Sequence, residues 1–151
     1  MIGLAKARVV IALCLVGAAQ VRARTDPMQT ERFVWRYGAH EFGTLDVPSG
    51  FTADTENYTE GIVTRLHYAD GSCIVLQRGF MYRIPMFQDP EHILDSSRRT
   101  NKKTVRRGHY ANKPEVWGED DFGLLNLGFA HVPRIRRREF ASAIESFLPS
   151  H

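Results

Sequence analysis

The stretch GIVTRLHYADGSCIVLQRG, residues 61–79, decides how this chain folds. Two runs rich in β-branched and apolar residues flank Asp70-Gly71, a dipeptide that tolerates positive φ and favours a tight two-residue hairpin turn. Such a turn sets Ala69 opposite Ser72, Tyr68 opposite Cys73, Leu66 opposite Val75 and Thr64 opposite Gln77. Residues opposite one another share a face of the sheet. One face then carries Ile62, Leu66, Tyr68, Cys73 and Val75. The other carries the mixed set Val63, Arg65, His67, Ile74, Leu76 and Arg78. This register predicts Cys73 in the core and His67 on the less buried face.

Strand signals continue on both sides of this hairpin. Upstream, Phe33-Val34-Trp35-Arg36-Tyr37 alternates, with three aromatics on one face. It predicts a hairpin with Glu41–Val47, stopped at Pro48-Ser49-Gly50. Residues 52–59 are polar and read as a loop, and Asn57-Tyr58-Thr59 fits the glycosylation pattern of a eukaryotic secretory pathway. Downstream, Phe80 to Phe87 is apolar but broken by Pro85, which predicts an edge strand or packed loop. Asp89-Pro90 starts a short helical turn through Leu94, and residues 96–103 read as a solvated basic loop. A second hairpin is predicted from Lys103–Tyr110 and Lys113–Trp117 around Ala111-Asn112. Glu119-Asp120-Asp121 then reads as a solvated acidic turn. Leu124 to Val132 is an apolar, central strand that Pro133 ends.

The C-terminus predicts an amphipathic helix, with Phe140, Ile144, Phe147 and Leu148 on one stripe. A start at Pro133 would put Arg136 and Arg137 on that stripe. A start near Arg137 removes the conflict, lets Ile135 staple onto Phe140, and places Glu139 at the third helical position, where a carboxylate is favoured. The order of elements gives an α+β fold: a mostly antiparallel sheet of about five to seven hairpin-built strands with one C-terminal helix packed on a face.

The N-terminus predicts export. Lys6 and Arg8 precede an apolar core, Val9 to Ala19, and Val21-Arg22-Ala23 resembles a signal-peptidase site. Cys14 lies inside that core and reads as apolar filler of a cleaved signal. The expected organisation is a signal at residues 1–23, a leader at 24–30 and a single domain at 31–151, periplasmic or secreted, with no stable membrane span after cleavage. The signal carries Lys6, Arg8 and Arg22 and no acid, so the net charge of +3 leaves with it, and 17 basic residues face 17 acidic ones in the remainder. A general polyanion-binding role, and a nucleic-acid partner in particular, loses its support. Cys73 is then the one remaining cysteine, so no internal disulfide is expected and the core must stabilise the fold.

No motif names a reaction. His92 and Asp95, with Asp89 and Glu91 nearby, lack zinc-like spacing, so no metal or other cofactor is expected. No serine sits in a nucleophile-elbow pattern, and a core-facing Cys73 is an inert thiol. The basic segments are the most suggestive feature left: Arg98, Arg99, Lys102, Lys103, Arg106 and Arg107, and then Arg134, Arg136, Arg137 and Arg138. Four arginines at a helix N-terminus oppose the macrodipole and need a partner. Glu119 to Asp121 are the intramolecular choice, and an external anion is the other.

The leading expectation is therefore a non-catalytic exported module. It would bind a protein or anionic envelope component through Arg134, Arg136, Arg137 and Arg138. The alternative is an exported hydrolase with a site assembled from the distant His67, His109 and Asp120. Its mark would be a pocket in which two of these side chains meet.

Overall fold

A computed structural model describes residues 29–79 and 90–150. The predicted signal with Cys14, most of the predicted leader, and the Phe80–Phe87 segment lie outside the described residues. The strands are β1 (Thr30–Tyr37), β2 (His40–Pro48), β3 (Phe51–Tyr58), β4 (Gly61–Tyr68), β5 (Cys73–Gly79), β6 (His92–Arg99), β7 (Thr104–Tyr110), β8 (Glu115–Asp121) and β9 (Leu125–Pro133). A 3-10 turn, Arg134–Arg136, leads into the helix α1 (Arg137–Glu145), and a short β10 (Leu148–Pro149) closes the chain. Seven strands form one antiparallel sheet in the order β3-β4-β5-β9-β8-β7-β6, and β1-β2-β10 form a second. The α+β class, the central place of the Leu124–Val132 strand and the late helix start are all as the sequence predicts. The separate three-stranded sheet is an addition to that expectation.

The decisive hairpin turns at Asp70-Gly71, but with one more residue in its loop. Gly71 N–H donates to Tyr68 C=O at 3.0 Å, and Tyr68 N–H donates to Ser72 C=O at 3.0 Å. Gly71 has φ of +85°. This is a three-residue loop in which a glycine in the left-handed region forms a bulge. His67 therefore pairs with Cys73, Leu66 with Ile74 and Thr64 with Leu76. A slip of one residue turns over every side chain of one strand. Ile74 and Leu76 face the main core with Leu66, and all three are fully buried. Cys73 and Val75 join Val63, Tyr110 and Trp117 in a second cluster on the opposite face. Cys73 is thus half-buried on that outer face, which corrects its predicted place in the main core.

Five other expectations are corrected. Residues 52–59 are not a loop, because Phe51 to Tyr58 pair along β4 as an edge strand. Residues 90–94 hold no helical turn, and 96–103 are not all loop, because His92 to Arg99 pair with β7 as the other edge. Both strands are exposed over most of their length, so neither shows the alternation that marks a half-buried strand. Glu119-Asp120-Asp121 is not a turn but the end of β8, with Glu119 and Asp120 buried. Ile135 does not staple onto Phe140, because it is 80% exposed.

The inner face of the large sheet packs against the small sheet and α1. Trp35, Phe42, Leu45, Leu66, Phe129, Phe140 and Ile144 belong to this one core. A Cβ on Gly43 would sit 2.4 Å from the Leu148 carbonyl oxygen and 2.5 Å from the Phe147 ring, so glycine lets β10 close on β2. Ser146 ends α1, and its Oγ accepts from Asp46 N–H at 2.8 Å, tying that end to β2.

Candidate functional site

The arginine segment follows from the way β9 ends. Pro133 stops the strand, the chain makes one 3-10 turn, and α1 begins with no side-chain cap on its N-terminus. Arg136 points back over the core. Its guanidinium lies 4.8 Å from the Phe140 ring centre and 5.8 Å from that of Tyr68. Its Nη1 pairs with Asp70 of the β4–β5 turn and its Nε donates to Glu139 at 3.1 Å. Burial works to raise the Asp70 carboxyl, but bonds with Ser72 and Arg136 outweigh it and hold the group below the usual range. Arg136 therefore fastens the helix start to the decisive hairpin. Glu119 to Asp121 are not its partners.

Arg134, Arg137 and Arg138 are exposed. Among the described residues none of the three has a carboxylate partner, and the exposed Ile135 lies between them. The result is three cations and one apolar side chain at the positive end of a helix dipole, where like charge is self-repelling. An anionic partner would relieve that repulsion.

The acidic run is instead neutralised by the first basic segment. Lys103 Nζ and Arg107 Nη1 both pair with Asp120, the latter at 2.8 Å. Arg106 Nη1 reaches Glu119 at 3.0 Å and Asp121 at 3.4 Å. Burial raises the Glu119 carboxyl, although Asn126 and Arg106 both pull it down. The register of β7 on β8 produces this arrangement, setting Arg106 opposite Glu119 and Arg107 beside Asp120. Counting outward from a four-residue loop, 111–114, gives this register, whereas the two-residue turn at Ala111-Asn112 that the sequence predicts would set Arg106 opposite Trp117.

The residues of the alternative site are not brought together. His67 shares the outer face with Val63, whereas Asp120 lies opposite Leu127 and His109 opposite Val116, both members of the inner core. His67 approaches Asp54 at 3.5 Å, His109 Nδ1 meets Asp95 at 2.7 Å, and His131 Nδ1 meets Glu115 at 2.9 Å. Among the described residues, no side chain of these three pairs is bonded to a hydroxyl or thiol, although the His131 backbone N–H donates to the Tyr110 hydroxyl at 3.3 Å. No group of three or more His, Cys, Asp or Glu side chains converges as metal ligands among them either.

Cys73 has the chemistry of a quiet thiol. Burial pushes it up to about 11 from an ordinary value of 9.0. At pH 8 its thiolate population should be roughly 100-fold below that of an unshifted thiol. Iodoacetamide should therefore label the Cys73 peptide of the folded chain about 100-fold more slowly than in urea, with the rate still climbing above pH 9. Equal rates in the two states would show an accessible, ordinary thiol.

Sequence reasoning missed one further set. His40, Phe42 and Arg78 form a shared wall between two clefts at the end of the fold away from Asp70. Arg78 had read only as part of a mixed hairpin face, and no local pattern joins it to β2. Comparison with known families, with curated proteins and with solved structures finds no match to this chain.

Proposed function

We propose that the chain is a non-catalytic, exported binding module that holds an acidic protein partner on Arg134, Arg137 and Arg138. The carrying observation is the contrast within one short segment. Arg136 is neutralised by Asp70 and Glu139, while its three neighbours keep their charge exposed. Ile135, 80% exposed among them, adds an apolar anchor that favours a protein surface over a bare anion. Export rests on the charged start, apolar core and Val21-Arg22-Ala23 of the sequence. No helix among the described residues is long and apolar enough to cross a membrane.

The test is affinity capture from envelope extract with the wild-type chain and with the triple variant Arg134→Ser, Arg137→Ser, Arg138→Ser. The three side chains are exposed, so the variant should unfold within about 0.5 kcal/mol per site of the wild type. A partner held at about 50 mM salt and released at about 500 mM, where screening is short-ranged, is expected for the wild type. The variant should lose it at both. Undiminished capture by the folded variant rejects this surface.

A further inference from the structure

The geometry points to a second, small-molecule site on Arg78, one that takes an organic monocarboxylate with an apolar body. Two clefts of about 380 Å³ and 460 Å³ flank the wall made by His40, Phe42 and Arg78. Each falls within the size range of small-ligand sites. Arg78 sits on β5, laddered to β4 through Ile62 and to β9 through Leu125, so its backbone is fixed on both sides. Its guanidinium lies 4.8 Å above the Phe42 ring centre. Phe42 is itself buried, which holds the stack in place.

Arg78 is stacked on a buried ring without being ion-paired among the described residues. Lys103, Arg106, Arg107 and Arg136 all meet carboxylates. Among the described residues Arg78 meets none. A guanidinium stacked on an aromatic ring keeps its in-plane N–H edge free, and that edge matches a carboxylate in bidentate fashion. The larger cleft offers the apolar body its place, over Leu124, Leu125 and Pro149. Leu124 is an exposed large hydrophobic. In the smaller cleft the Tyr37 hydroxyl accepts from Asn57 Nδ2 at 3.0 Å, which leaves its own proton to donate.

The charge of the ligand follows from the rims. Glu60 lines one cleft and Glu41 the other. The two rim carboxylates oppose negative charge near the arginine and penalise a phosphate dianion more than a monocarboxylate. The site is separate from the arginine surface of α1. Arg78 and the Asp70 turn lie at opposite ends of the β4–β5 hairpin, roughly 20 Å apart at strand rise.

The experiment is a calorimetric titration of the full chain with 4-phenylbutyrate, 4-phenylbutyramide and phenyl phosphate, repeated on Arg78→Met. Methionine keeps an apolar stem on the Phe42 ring and removes only the guanidinium. Saturable binding of 4-phenylbutyrate is expected. The amide, and the acid on Arg78→Met, should each bind at least about 10-fold more weakly, the loss of one charge-assisted bidentate contact. The triple serine variant of α1 should bind the acid as the wild type does, which separates this site from the partner surface. Absence of saturation up to about 10 mM, or equal binding by a folded Arg78→Met, overturns the site. Phenyl phosphate binding as tightly as the monoacid overturns the assignment of a single charge.

Discussion

Asp120→Ala is expected to destabilise the chain by about 3–5 kcal/mol, a fall in Tm of roughly 10–20 °C. The Asp120 side chain is fully buried, on the inner face of β8. It accepts from Arg107 at 2.8 Å and pairs with Lys103. Removing the carboxylate leaves two cations facing a pocket that can no longer answer them. Lys103, at 22% side-chain exposure, can swing toward water. Arg107, at 8%, is held by the carbonyls of Arg106 and Glu119 and by Glu145 of α1. The loss should therefore fall mainly on Arg107. Buried charge left with only the half-exposed Glu145 to compensate it, not the lost attraction alone, sets the size of the effect.

That account also predicts a recovery. In Asp120→Leu combined with Arg107→Met, neither charge remains to be desolvated, and apolar groups fill similar volume. Urea unfolding should return most of the loss in the double variant, while either single variant stays low. A loss under about 1 kcal/mol in Asp120→Ala would show that water reaches the pair and that it adds little to the ladder joining β7 and β8.

The same pair shows where sequence reading stops. Glu119-Asp120-Asp121 reads as a solvated turn because a run of carboxylates is costly to bury by itself. Only the register of another strand supplies Arg106, Arg107 and Lys103, and register is not a local property. The decisive hairpin fails in a similar way. Asp70-Gly71 suits both a two-residue turn and a three-residue loop with Gly71 in the left-handed region. The residues of β5 are apolar on both faces, so Cys73, Ile74, Val75 and Leu76 cannot report which face is inner. The edge strands β3 and β6 are missed because they are exposed on both sides. The helix start is legible, since charge on an apolar stripe excludes the earlier alternative. At the candidate sites, the arginine run is visible in sequence, but the neutralisation of Arg136 is not. Asp70 lies 66 residues away. Arg78 gives no local sign at all, because its significance lies in Phe42 of a different sheet.

Trp35→Ala should be of similar size to Asp120→Ala, about 3–5 kcal/mol, but should open the molecule along a different line. Trp35 belongs to the small sheet and is fully buried. Its ring sits 4.9 Å from Phe42 and 6.2 Å from Phe147, centre to centre. Its Nε1–H crosses to the large sheet and donates to Thr64 Oγ at 3.1 Å. One side chain thus supplies both filler and a buried polar link between the two layers, beside the Asn57–Tyr37 and Tyr68–Pro48 bonds. Thr64 keeps Thr55 as a partner at 2.9 Å, so its hydroxyl is not orphaned in the variant. The cost is that of the cavity, and phenylalanine at the same position should restore more than half of it. Thr64→Val does the reverse. It leaves the volume filled and the indole N–H unanswered, at about 1–3 kcal/mol. Hydrogen exchange locates the failure. In Trp35→Ala, β1 and β2 should lose protection well before β4, β5 and β9, because the small sheet loses its bolt while the ladder of the large sheet is untouched. Uniform loss of protection across both sheets would mean that the two layers fold as one cooperative unit, and that the clefts shared by Phe42 and Arg78 cannot loosen without global unfolding.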